Sequence, residues 1–222
     1  MNVPRITIIL VGLLTLAGCG GGEGTSSPPV TLDGDLEPLE SAFTYHTPEY
    51  HVRLRQVLRK KAPDDSLLQF LVMPSFEPET QLSLHRVGQG YEVHIVTPRE
   101  QIWYSKAPVD QIECIEARKG LPAATAERLR EVWKQMLRRT RYSEAPPTTL
   151  DGTSYAFLNL ERGPGRDWSG RASNPPPGTR PNLLAQIGED VIAYVRADAS
   201  AEPTLLAKVD SALAQLEASL AK

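Results

Sequence analysis

Apolar and polar residues along this chain recur with two different periods, and each change of period marks an element. Tyr50, Leu54, Val57 and Leu58 recur at the three-to-four spacing of one helical face. Ahead of them, Thr47 and Pro48 supply an N-cap and a first helical position. Behind them, Arg59, Lys60 and Lys61 place cations where a helix C-terminus favours them. The turn formers Pro63, Asp64, Asp65 and Ser66 end the segment. Residues 67–73 are a short, nearly continuous apolar run that reads as a strand. Residues 81–87 and 91–97 alternate with period two around Gly88, Gln89 and Gly90, which predicts a hairpin. With the turn at Gln89 and Gly90, Leu82 and Leu84 share a face with Val93 and Ile95. Leu84 then lies opposite Ile95, and His85 lies opposite His94 on the other face. A slip of one residue would set Leu84 against His94. Residues 102–105 and 111–117 complete an expected meander of about five strands.

After Pro122 the helical period returns. Ala126, Leu129, Val132, Trp133, Met136, Leu137 and Thr140 make one face, and Arg128, Arg130, Glu131, Lys134, Arg138 and Arg139 lie mostly on the other. That is the pattern of a surface helix docked on a sheet. Asp151 and Gly152 introduce a further strand over 154–160. A long irregular stretch, 163–181, is rich in Gly and Pro and contains Trp168. Two helices are expected to close the chain, one through Leu184, Ile187, Val191, Tyr194 and Val195, the next through Leu206, Val209, Leu213, Leu216 and Leu220. Strands followed by helices predict the α+β class: an antiparallel sheet of about five to six strands, with three to four helices packed mainly on one face. No internal repeat is visible.

The N-terminus has its own logic. Arg5 precedes an apolar run over 6–16 that is interrupted only by Thr7, Gly12 and Thr15. The run is shorter than the roughly 20 apolar residues a membrane-spanning helix needs, and small residues follow it, as in a cleaved secretory signal. The sequence Leu16-Ala17-Gly18-Cys19 resembles the lipobox of bacterial lipoproteins. That resemblance covers only the first tenth of the chain. It implies a signal peptide over 1–18, a diacylglycerol thioether on Cys19, cleavage before Cys19 and acylation of the new amine. Several acyl chains hold a protein far more firmly than one, so the implied partner is a membrane, reached through a lipid anchor. Family members retained at the inner membrane carry Asp after the cysteine. Gly20 stands there in this chain, which implies the outer membrane, facing the periplasm. Residues 19–38, Gly-, Ser- and Pro-rich at their start, have the composition of a tether, and 39–222 are expected to form a single globular domain.

Charge and cysteine content narrow the classes further. The chain has 24 Lys and Arg against 27 Asp and Glu. Removing 1–18 takes away Arg5 alone, leaving 23 against 27, a net charge near −4. That balance lacks the basic face a nucleic-acid partner requires. Cys114 is the only cysteine besides Cys19, so no internal disulfide is expected. Its setting among Ile112 and Ile115 favours a packed thiol over a reactive one.

Candidate chemistry is sparse. His46, Glu49 and His51 do not follow the spacing that puts two metal-binding His on one helical face. The cross-strand pair His85 and His94, with Glu92 on the same face, offers two imidazoles where zinc takes three or four ligands. Ser169 precedes Gly170 without a nucleophile elbow. Asp64 with Asp65, and Glu189 with Asp190, read as solvated pairs, and Gly163-Pro164-Gly165 lacks the strand and helix of a phosphate cradle. No catalytic residue and no cofactor emerge. The long loop, with Arg162, Arg166, Trp168, Arg171 and Arg180, has the Trp and Arg content of interface anchors. Arg166, Trp168 and Arg171 are its candidate contacts to a protein partner.

Three functions fit these features. The first is a non-enzymatic envelope lipoprotein that binds a protein, as an assembly factor, inhibitor or immunity-type protein. The second is an enzyme acting on envelope polymers, which needs His85, His94 and a carboxylate to converge in a cleft. The third is a binder of small ligands between helix and sheet, which needs a sizeable apolar pocket. The lipobox resemblance predicts that labelled palmitate enters the chain during expression in a Gram-negative host. Cys19→Ala should abolish both the label and membrane fractionation; unchanged fractionation would mean an ordinary exported protein.

Overall fold

The computed structural model describes residues 32–39, 48–61, 65–142, 151–160 and 168–222. Its elements in chain order are α1 (Pro48–Arg59), β1 (Leu68–Pro74), β2 (Thr80–Val87), β3 (Gly90–Pro98), β4 (Cys114–Leu121), α2 (Ala123–Arg138), β5 (Thr153–Asn159), β6 (Trp168–Ser173), α3 (Arg180–Arg196) and α4 (Glu202–Leu220). The strands form one sheet in the order β4-β3-β2-β1-β5-β6, and every neighbouring pair is antiparallel. The fold is α+β. The chain walks outward from β1 to β4, returns through α2, and adds β5 and β6 to the other side of β1. The opening strand therefore ends near the centre of the sheet.

One face carries the main core. Leu68, Phe70, Leu82, Leu84, Val93, Ile95 and Phe157 pack with Leu129, Val132, Trp133 and Met136 of α2, Leu184, Ile187 and Val191 of α3, and Leu213 and Leu216 of α4. The ring of Phe70 lies 5.8 Å from Trp133 in an edge-on contact and 5.2 Å from Phe157. The buried positions of α2 run at the spacing its sequence carries. Thr179 caps α3 by accepting the Asn182 N–H at 3.3 Å. On the opposite face α1 sets Leu54, Val57 and Leu58 against Val96, Ile102 and Ile112 in a second, smaller cluster.

Four expectations are corrected. First, the hairpin register differs: Leu84 faces Val93, His85 faces Glu92 and Ser83 faces His94. The turn is Gly88-Gln89, with Gly88 at φ +58°, because a two-residue hairpin loop needs a positive φ at its first central position and glycine supplies it without strain. The displacement is two residues, so every side chain keeps its face, and the hydrophobic pattern could not distinguish the two registers. Second, residues 102–105 are a turn. The N–H of Ile102 donates to the Glu79 carboxylate at 2.9 Å, and its side chain plugs the α1 cluster. The last strand of the meander accordingly runs over Cys114–Leu121 instead of 111–117.

Third, the stretch 163–181 is not irregular throughout. Trp168–Ser173 is strand β6, and Gly170 in it lies directly against Leu36 and Leu137. Fourth, residues 32–38, expected in the tether, are packed onto the domain. Leu36 is fully buried in the main core. Glu37 exchanges two backbone hydrogen bonds with Arg171, at 2.9 and 2.7 Å, and Asp33 bridges to Thr179. The expected N-cap Thr47 lies outside the described residues, as do the signal segment and Cys19.

Helix α3 crosses the sheet closely because Gly188 lets it approach. A Cβ at this position would sit 2.4 Å from the Phe70 ring, inside any tolerable contact. An alanine gains under about 1 kcal/mol in helix propensity over glycine, whereas overpacking a core costs about 1–3 kcal/mol. Gly188→Ala should therefore lower the urea midpoint, by about 1–2 kcal/mol net, with an unchanged denaturant slope. A raised midpoint would show that the α3–sheet contact relaxes freely.

Candidate functional site

The second face of the sheet is only partly covered, and the uncovered part is a cavity of about 460 Å³. Its floor follows from the period-two alternation of strands. Where Phe70, Leu82 and Phe157 face the main core, their neighbours Gln69, Leu71 and Met73 of β1, Gln81 of β2, and Ser154, Ala156 and Leu158 of β5 face the hollow. Leu54, Leu58 and His51 of α1 form one wall, and Leu39 and Arg171 contribute from the β6 side. The long axis follows the strands. Gln69 pairs with Leu158 at one end of the floor and Met73 with Ser154 at the other, four residues or about 13 Å apart at roughly 3.3 Å per residue.

The mouth lies beyond Met73 and Ser154, where Phe76, Trp103 and Tyr104 border it. Its frame is tied by hydrogen bonds. The Gln101 amide donates to the carbonyls of Pro74 and Ser75, at 3.3 and 2.9 Å. Ser75 bonds to Gly152 through both its N–H and its hydroxyl, each at 2.9 Å. Asn174 accepts from the Thr153 N–H at 2.7 Å and donates to the Asp151 carbonyl at 2.9 Å. Gly152 adopts φ +136°, and the Asn174 side chain fills the place a Cβ would need, so this position requires glycine.

The wall is fastened by a buried carboxylate. Glu79 has no solvent exposure. It accepts the Tyr50 hydroxyl at 2.8 Å with one oxygen and the Ile102 N–H with the other. Burial first, then the charge and hydrogen bond of Glu79, push the Tyr50 phenol far above its ordinary range. Tyr50 therefore remains a donor at any physiological pH, and its ring meets Trp103 edge-on at 4.9 Å. The ionised or imidazole groups of the lining are His51, Arg55, Asp151 and Arg171, and Arg171 is committed to Glu37 at 2.9 Å.

His85 and His94 lie on the α1 face of the sheet but do not line the cavity. Each is buried with its own carboxylate: Nδ1 of His85 is 3.1 Å from Asp65, and Nε2 of His94 is 3.1 Å from Glu116. Among the described residues, no group of three or more His, Cys, Asp or Glu side chains is arranged to hold a metal ion. His51 is buried and Glu49 exposed; His46 lies outside the described residues, as do Asp64, Arg162 and Gly163-Pro164-Gly165. The candidate partner contacts are also separated. Trp168 packs against the main core, with the Arg138 guanidinium 4.9 Å above its ring. Arg171 lies on the cavity side, and Arg166 is outside the described residues. Cys114 packs half-buried beside the α1 cluster, and burial is the main cause raising its thiol pKa.

No protein-family model, no characterised protein and no solved structure matches this chain. The site must be read from its geometry alone. Sequence reasoning missed the cavity residues, although one signal was present. Leu71 and Met73 are apolar on the face of β1 opposite to Leu68 and Phe70, as expected for a strand covered on both sides.

Burial, the largest influence, and the neighbouring Arg118 cation lower the pKa of His94, while Glu116 opposes them. The folded-state value then lies below the unfolded value of about 6.5, so this contribution to stability is complete above pH 6.5 and falls as the pH drops through it. Urea midpoints at pH 7.5 and 5.5 should differ more in the native chain than in His94→Gln. An equal or larger difference in the variant would refute the assignment.

Proposed function

We propose that this chain is an envelope lipoprotein whose domain binds an elongated apolar or amphipathic small molecule in the cavity beside α1. The observation that carries the reading is the hollow itself. At about 460 Å³ it falls within the roughly 300–1,000 Å³ range of small-molecule sites. Its walls are largely aliphatic, through Leu39, Leu54, Leu58, Leu71, Met73 and Leu158. An apolar ligand gains about 25 cal/mol for each Å² it removes from water, while Gln69, Gln81 and Ser154 offer hydrogen bonds for a small polar group. A soluble compartment tethered to a bilayer suits ligands that water dissolves poorly.

The other two readings have less behind them. A protein-binding loop at 163–181 would need Trp168 and Arg171 on one surface, but Trp168 packs on the core side and Arg171 on the cavity side. An enzyme acting on envelope polymers would need the histidine–carboxylate pairs inside a cleft, and both pairs lie outside the cavity lining.

Nile red should bind the domain saturably with a blue-shifted emission. Met73→Trp and Ser154→Trp place indoles in the hollow and should each weaken binding at least about tenfold, while cooperative thermal unfolding is retained. Undiminished binding in both folded variants would remove the cavity from the account.

A further inference from the structure

Three of the four large exposed aromatic side chains among the described residues gather at one place; the fourth, Tyr142, follows α2. Phe76, Tyr104 and Trp103 are 74%, 65% and 45% exposed, and all three border the cavity mouth. They come from two loops, one after β1 and one between β3 and β4, which the Gln101 hydrogen bonds join. The rings are thus held out into water by a tied frame.

We propose that this rim seats the cavity mouth on the surface of a zwitterionic lipid bilayer. Tyr and Trp, with an apolar body and a polar tip, favour the membrane–water interface. The exposed charges nearest the rim have both signs, with Glu49, Glu77, Glu100 and Asp151 against Arg55, Arg99 and Lys106. They create no net field that would select anionic lipid.

The position of the tether agrees. The described chain begins at Leu32, and Asp33 bridges to Thr179. Only residues 175–178 separate Thr179 from Asn174, a residue of the mouth. The twelve residues between Cys19 and Leu32 can span at most about 40 Å. A lipid on Cys19 would leave this end of the sheet within reach of the bilayer. The tether argument rests on the lipoprotein reading; the rim stands without it. A mouth seated on lipid would let an acyl chain pass into the cavity without crossing water.

The test uses the chain from residue 19 with Cys19→Ser, so that no anchor contributes, and vesicles of phosphatidylcholine. The protein should sediment with them in a salt-insensitive manner, and brominated acyl chains should quench a tryptophan emission that Trp103→Phe removes. Phe76→Ser with Tyr104→Ser should lower vesicle affinity at least about tenfold, with the unfolding temperature unchanged. Met73→Trp should keep vesicle affinity while losing Nile red, which separates failure of the docking surface from failure of the cavity. The proposal is overturned if the unsubstituted chain does not sediment, if it binds only anionic vesicles, or if the double variant binds equally well. Self-association without vesicles that the double variant abolishes would also overturn it, by making a second copy the occupant.

Discussion

A sheet of six strands is too wide for a single helix to cover. At about 4.8 Å between neighbours, the outer strands stand roughly 24 Å apart, while a helix with its side chains is about 10–12 Å across. Two helices, α2 and α3, meet this demand on one face, and α4 packs against both to complete a continuous core. On the other face stands α1, twelve residues long, which sets its apolar stripe on Val96, Ile102 and Ile112. Leu71 and Met73 of β1 lie at the margin of that cluster, and beyond it β5 still presents Ala156 and Leu158. The cavity is the consequence of that mismatch in width.

Keeping the hollow open requires that α1 not slide across to fill it. The Tyr50–Glu79–Ile102 arrangement supplies the restraint. A buried carboxylate is tolerable only when its oxygens are satisfied, and here each has a donor. Moving α1 would take the Tyr50 donor from a fully buried carboxylate oxygen, which costs about 1–3 kcal/mol. The same loop carries Ile102 into the α1 cluster and Trp103 onto the Tyr50 ring. Wall, plug and mouth are therefore one mechanical unit.

The sheet's two edges are handled differently. β6 is paired on its outer side by Glu37, and Leu36 closes over Gly170, where a larger side chain would not fit. This makes a segment of N-terminal chain part of the fold. The opposite edge, β4, carries Glu116, Arg118 and Lys119, charges that discourage another strand from pairing there. Lys119 also reaches the carbonyls of Tyr194 and Ala197 at the end of α3, at 3.1 and 2.7 Å, so the edge strand is tied to the helical layer.

What the sequence determined by itself were the features encoded over short distances. The faces of α2, α3 and α4 follow from spacing within single helices, and the inward side of the hairpin follows from its alternation. Together they made the α+β class legible, and the lipobox resemblance is equally local. Tertiary structure decided the rest. Residues 102–105 look like a strand until a distant Glu79 captures the Ile102 N–H, and 168–173 look irregular until β5 and the Leu36 segment offer edges to pair with. His85 and His94 keep their shared face but are claimed separately by Asp65 and Glu116. The cavity has no local signature, because a void is a relation between surfaces: the width of a sheet against the width of a helix. No window of residues contains both.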